Sequence, residues 1–117
     1  NPNMCEQQSE SGITMGIGGA LFEDMKMVRG VITNCNFTDY SIPSTTEVPL
    51  PENMKSLFVE SAPHKDGPYG AKGFGEACMV SMEPAIGNAI YDAIGVRIKE
   101  LPITPDRILK ALAGITN

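Results

Sequence analysis

The sequence of 117 residues has no tryptophan, one histidine and three cysteines, and each shortage removes a class of function. His64 alone cannot build a histidine-rich metal site. Cys5, Cys35 and Cys78 are odd in number and far apart, which fits neither a disulfide framework nor the paired spacing of a zinc site. Unpaired thiols fit a reducing compartment, so a cytoplasmic location is expected. No apolar run approaches the roughly 20 residues that a bilayer crossing needs. Asn1-Pro2-Asn3 starts no charged segment ahead of an apolar one, so no export signal is visible. Without such a signal, Asn36-Phe37-Thr38 reads as strand residues rather than as a glycosylation acceptor. Basic clusters are missing as well. Nine Lys and Arg stand against 14 Asp and Glu for a net charge of -5, which makes nucleic acid and anionic membrane poor partners.

What is present suffices for one core and not for two, since a folded chain of this length buries roughly two thirds of the surface its unfolded form exposes. Residues 1–117 are read as a single domain or a piece of one. The first residue is Asn and Met4 is a weak start, which points to a fragment of something longer.

Ile13, Ile17, Leu21 and Met25 form an i, i+4 row with Ala20 beside it, which predicts a helix over 13–25. Gly12, Gly16, Gly18 and Gly19 fall in or next to that helix, although each interior glycine costs about 1 kcal/mol relative to Ala. Either something packs very close to it or the segment is only partly helical. From Met27 to Tyr40 the apolar period falls to two, broken at Gly30 and at 34–36, which predicts a strand pair with a short turn. Pro43, Pro49 and Pro51 predict an extended surface run over 43–54, and Leu57, Phe58 and Val59 a short strand.

The stretch from His64 to Gly75 carries Gly67, Pro68, Gly70, Gly73 and Gly75 and predicts a long loop. Pro84 suits a first helical residue, Ala85, Ile86, Ala89, Ile90, Ala93 and Ile94 line one face behind it, and Gly95 ends the helix. Val96 and Ile98 alternate with Arg97 and Lys99 as a half-buried strand. Thr104-Pro105-Asp106 starts a last helix that carries Ile108, Leu109 and Leu112 and ends at Gly114. The order predicts an α+β fold of about three helices with short mixed strands.

Common catalytic templates are mostly absent. Gly16-Ile17-Gly18-Gly19-Ala20-Leu21 lacks the third glycine of a dinucleotide fingerprint, and no Gly-Lys-Ser/Thr follows any glycine-rich run. Cys78 and His64 could pair as nucleophile and base, but a solvated loop histidine and a small buried thiol are the plainer readings. The run Gly70-Ala71-Lys72-Gly73-Phe74-Gly75-Glu76 is more pointed. A glycine on each side of Phe74 strips Cβ atoms from the backbone, so its amides can approach a bulky ligand, and the carboxylate that follows can be held against that ligand. A surface turn with a solvated glutamate has the same composition.

The run Gly73-Phe74-Gly75-Glu76 is followed by Pro84-Ala85-Ile86, Asn88-Ala89-Ile90-Tyr91-Asp92-Ala93, Gly95-Val96-Arg97 and Leu101-Pro102-Ile103-Thr104-Pro105-Asp106-Arg107-Ile108-Leu109. This series closely resembles the C-terminal end of the molybdenum-binding subunit of the xanthine dehydrogenase/aldehyde oxidase family. Upstream, Asn1-Pro2, Gln8-Ser9-Glu10-Ser11-Gly12, Gly16-Ile17-Gly18 and Asp39-Tyr40-Ser41-Ile42-Pro43 are similar to segments of the same family, in the same order. The resemblance covers nearly the whole chain, and the ordered series is more specific than any one motif.

The resemblance implies a fragment of a larger molybdopterin-binding domain. Glu76 corresponds to the active-site base, Gln8 to a glutamine beside the pterin and the metal, and Lys72, Gly73, Phe74 and Gly75 to chain that lines the cofactor. Such enzymes hydroxylate an electron-poor carbon of an N-heterocycle or aldehyde with water as oxygen source. Glu76 would take the proton of a molybdenum-bound hydroxide while a hydride passes to the sulfido sulfur. A base in that role must be partly desolvated, because a water-exposed glutamate with a pKa of about 4.3 is a weak proton acceptor.

In this family the pterin dithiolene holds molybdenum, with or without a cytosine dinucleotide on the pterin, so no protein metal ligands are expected here. Three scattered cysteines cannot hold an iron-sulfur cluster. The 2Fe-2S centres and FAD would sit on partner subunits or domains, and the remainder of the molybdenum subunit would complete the site. Ala77-Cys78 after Glu76, Met15 and Ser11 depart from the family pattern, which bears on the substrate rather than on the base. A fragment cut from such a subunit would be inactive, and its uncovered apolar faces would favour self-association. Were the chain free-standing, a small non-catalytic interaction module with a glycine-rich binding loop would be the alternative.

Overall fold

The computed structural model describes residues 1–114. Helix α1 runs Pro2–Leu21, twenty residues, capped by the Asn1 side chain, which accepts from the Met4 amide at 3.3 Å, with Pro2 in the first turn. It starts eleven positions before the apolar row and ends before Met25, because the cap and the proline set the start and the row does not. The hairpin β1 (Met27–Val28) and β2 (Val31–Ile32) is antiparallel, with Met27 opposite Ile32 and Val28 opposite Val31. Arg29 (φ 50°) and Gly30 (φ 80°) both take the left-handed conformation in its turn, which matches the twist of the flanking strands. Phe37 and Tyr40 lie beyond the hairpin in turns, not in a strand as the periodicity predicts.

Prolines shape the next stretch into turns and a short 3-10 segment, Pro51–Asn53. The predicted strand at Leu57–Val59 does not form: Leu57 is 92% exposed and Val59 75%, with no neighbouring strand to pair with. The glycine-rich loop holds one 3-10 turn, Pro68–Gly70, and closes on itself where the His64 amide donates to the Gly70 carbonyl at 2.9 Å. A single helical turn α2 (Ala77–Val80) leads into α3 (Met82–Ile94), so helical structure begins ahead of Pro84. Gly95 ends α3 in the left-handed conformation (φ 72°), as expected. Among the described residues Val96–Ile98 pairs with no strand, although Val96 and Ile98 are half-buried and Arg97 and Lys99 exposed as the alternation requires. Helix α4 runs Pro105–Leu112, with the Thr104 hydroxyl accepting from the Arg107 amide at 3.4 Å.

The glycines of α1 explain the packing. A Cβ on Gly12 would stand 2.8 Å from Cys78 Cβ and 3.1 Å from the Met79 amide nitrogen, and one on Gly16 would collide with Met82. Ser9, Gly12, Gly16, Ile17, Gly18 and Ala20 are the buried residues of α1. The helix is therefore fully formed, and it is smooth because α2 and α3 lie directly on its glycine face. Ile103 closes the far end: it is 3% exposed, and its amide donates to the Ala20 carbonyl at 2.6 Å.

That core is small. Among the described residues the buried apolar side chains are Ile17, Ala20 and Ile103, with Pro102 beside the last. The solvent-accessible surface is 8831 Å², against about 6,200 Å² for a compact monomer of this size. The radius of gyration is 17.5 Å, against about 13 Å.

Candidate active site

Gln8 and Gly75 lie 67 residues apart, yet the Gln8 Nε2 donates to the Gly75 carbonyl oxygen at 2.6 Å. Gln8 sits in the second turn of α1, and the carbonyl belongs to the peptide group that joins Gly75 to Glu76. The structure thus brings together two of the segments singled out in the sequence, one from each half of the chain. Glu76 occupies the N-cap position of α2 (φ -114°, ψ 15°), but its side chain does not cap the helix. Among the described residues its carboxylate makes no hydrogen bond or ion pair, and Glu76 is exposed. A carboxylate without a local partner at a fixed backbone position can accept a proton from a bound group.

Gly73 and Gly75 leave open space: a Cβ at either position would meet nothing within 4 Å. Phe74 between them packs edge-to-face on Phe58, with ring centroids 6.1 Å apart and planes at 79°. The residues expected to form a strand at 57–59 thus supply the partner of the loop aromatic, a contact that no local pattern could reveal. Lys72 is exposed and makes no ion pair among the described residues. His64 and Cys78 are not joined. The His64 Nδ1 accepts from the Asp66 amide at 3.2 Å, and Cys78 is half-buried against Gly12 of α1, so a nucleophile pair is absent.

Elsewhere, the Tyr40 hydroxyl donates to Glu23 Oε2 at 2.6 Å, and this bond, then burial and the carboxylate charge, raise the phenol above its usual range. Two clefts lie away from the glycine loop. One of about 240 Å³ is bounded by Met25, Ile32, Phe37 and Tyr40, and one of about 290 Å³ by Glu83, Asn88, Arg97 and Lys99. No group of three or more His, Cys, Asp or Glu among the described residues could hold a metal ion. No helix among them is long and apolar enough to cross a membrane.

A family model for the molybdopterin cofactor-binding domain matches residues 1–49. The xanthine dehydrogenase molybdenum-binding subunit of Escherichia coli O157:H7 is 40% identical over 119 aligned residues, which cover 98% of this chain and 15% of that protein. The chain belongs to the molybdenum-binding subunits of the xanthine dehydrogenase/aldehyde oxidase family. Subunit gamma of the 6-hydroxypseudooxynicotine dehydrogenase complex of Paenarthrobacter nicotinovorans is 37% identical over 98% of the chain and 14% of its own length. The crystal structure of quinoline 2-oxidoreductase from Pseudomonas putida 86 superposes with a TM-score of 0.85 at 32% identity, over 97% of this chain and 14% of that one.

The chain therefore spans about one seventh of these molybdenum-binding proteins. Its α+β fold, three longer helices and a two-stranded sheet, is that of a piece of the larger domain. The Gln8 to Gly75 bond joins the part that the family model matches to a part that it does not.

Proposed function

We propose that this chain contributes one wall of the active site of a molybdenum-dependent hydroxylase, with Glu76 as the base. The observation that carries the reading is the 2.6 Å bond from Gln8 to the Gly75 carbonyl, which fixes the peptide in front of an unpartnered carboxylate. Xanthine and quinoline, which appear in the names of two similar proteins, are N-heterocycles, and that class is the favoured substrate, with aldehydes next.

The donor set fits a molybdopterin. A metal held by the pterin needs no protein ligands, so the fit rests on the glycine loop and its neighbours. Open space at Gly73 and Gly75 lets backbone amides approach a bulky group, and Lys72 offers a positive charge beside it. Gln8, Lys72, Gly73, Phe74 and Gly75 would hold the cofactor. When bound, it supplies the two-electron oxidation that hydroxylates the substrate carbon with an oxygen from water.

Glu76 takes the proton released at that oxygen, on a carboxylate oxygen, and returns it to solvent later in the cycle. Phe74, braced by Phe58, keeps water from one side of the loop. The remaining walls come from the rest of the molybdenum subunit, whose cover also strips water from Glu76 and strengthens it as a base. Centres of the 2Fe-2S and FAD type on partner subunits would take up the electrons, a reading supported by the relative named as one subunit of a complex. The pterin carries either a simple phosphate or a cytosine dinucleotide, and the assembly works in the cytoplasm.

The test is Glu76→Gln in the full subunit. Turnover falls by roughly two to four orders of magnitude, the usual worth of a positioned general base, while molybdenum content stays at the unsubstituted level. Near-normal turnover removes Glu76 from the mechanism.

A further inference from the structure

Gln8 does more than stand near a cofactor. Its Nε2 grips the carbonyl of the Gly75–Glu76 peptide group, whose nitrogen belongs to Glu76 itself. One helical turn further along α1, Gly12 lies against Cys78 and Met79, and a turn beyond that Gly16 lies against Met82. The row 8, 12, 16 of α1 thus follows 75, 78 and 82 of the other half in step. Gly12 and Gly16 act by contact alone, and Gln8 ends the row with a directed bond. That bond is needed where it stands. Gly73 and Gly75 carry no side chains to wedge the loop, and glycine has the most backbone freedom to lose on ordering.

We propose that Gln8 is a positioning residue for Glu76, and that its amide holds the Gly75–Glu76 peptide whether or not the cofactor is bound. The inference rests on the reading of Glu76 as base, and it assigns to a side chain expected to serve the cofactor a second duty toward the protein. One amide suits both. Among the described residues this is the only hydrogen bond of the Gln8 side chain, so its second N–H and its Oε1 stay available to a bound group. A methionine of similar length would fill the same space without donating, and a glutamate would turn an acceptor toward the carbonyl.

The experiment uses the full molybdenum subunit, prepared with its cofactor and from cells deprived of molybdenum and pterin. Amide hydrogen exchange is followed in the peptides covering 73–80, with 105–112 as internal reference. In the cofactor-free protein Gln8→Met and Gln8→Glu speed exchange over 73–80 by roughly two- to tenfold, the worth of one net hydrogen bond, and leave 105–112 unchanged. Gln8→Lys, which restores a donor of similar reach, returns exchange to within about twofold of the unsubstituted protein. In the loaded enzyme Gln8→Met lowers kcat per bound molybdenum by about an order of magnitude with little change in KM, as a misplaced base should.

Unchanged exchange over 73–80 in the cofactor-free Gln8→Met protein overturns the proposal and leaves Gln8 a cofactor contact only. If Gln8→Met loosens 105–112 as well, the lysine variant decides: equal loosening there also overturns it. The exchange result is independent of Glu76 chemistry. A Glu76→Gln enzyme that keeps its turnover would defeat the reading of the base and leave the Gln8 clamp standing.

Discussion

Asn34 is 5% exposed and spends its whole side chain on backbone: Oδ1 accepts from the Lys26 amide at 2.9 Å and Nδ2 donates to the Asp24 carbonyl at 2.7 Å. These bonds tie the chain just after β2 to the 24–26 segment that links α1 to the hairpin. Asn34→Ala leaves the part-buried Lys26 amide and Asp24 carbonyl without these partners, a cost of about 1 kcal/mol. Faster amide exchange confined to 24–40 in the full subunit is the expected outcome, and unchanged exchange there would remove Asn34 as a clamp. Nothing local marks that role, since an asparagine between Thr33 and Cys35 reads as a turn residue. Glu76 is proposed as the base on a different ground. Composition favours a solvated glutamate there, and only the ordered series of motifs around it singles it out.

At the scale of elements, the helices were the legible part. Caps, prolines and Gly95 act within a few residues, and the structure places α4 and the end of α3 where those signals stand. The strands at 57–59 and 96–98 were not. An apolar run at 57–59 and alternation at 96–98 suit an extended chain, but pairing needs a partner that these 114 described residues do not contain. The glycines of α1 sat between the two cases: their cost in a helix announced a close neighbour without naming it. The structure names Cys78, Met79 and Met82. Gly12→Ala gains about 1 kcal/mol of helix propensity and meets Cys78 Cβ at 2.8 Å. An overpacked contact of that kind costs about 1–3 kcal/mol, so the net effect is a lower midpoint of thermal unfolding for the full subunit. A raised midpoint would mean that α2 moves aside at no cost.

The whole molecule is defined by how little it buries. Among the described residues Ile17, Ala20, Pro102 and Ile103 are the buried apolar side chains, and with an accessible surface of 8831 Å² they describe a chain whose core lies partly elsewhere. Met27, Val28, Val31 and Ile32 of the hairpin are all exposed, as are Leu57, Val59 and Leu109. The 117 residues expressed alone should self-associate and bind an apolar dye, because surfaces of this kind do not stay uncovered in water. Strictly monomeric elution at high concentration, without dye binding, would contradict that. The proposed base shares that incompleteness: Glu76 is exposed in this piece of the subunit.

The most direct measurement is therefore the structure of the complete subunit with its cofactor bound. The account predicts the Glu76 carboxylate turned toward molybdenum in a closed pocket, with Gln8 still donating to the Gly75 carbonyl. A Glu76 side chain pointing into bulk solvent, away from the metal, would contradict it.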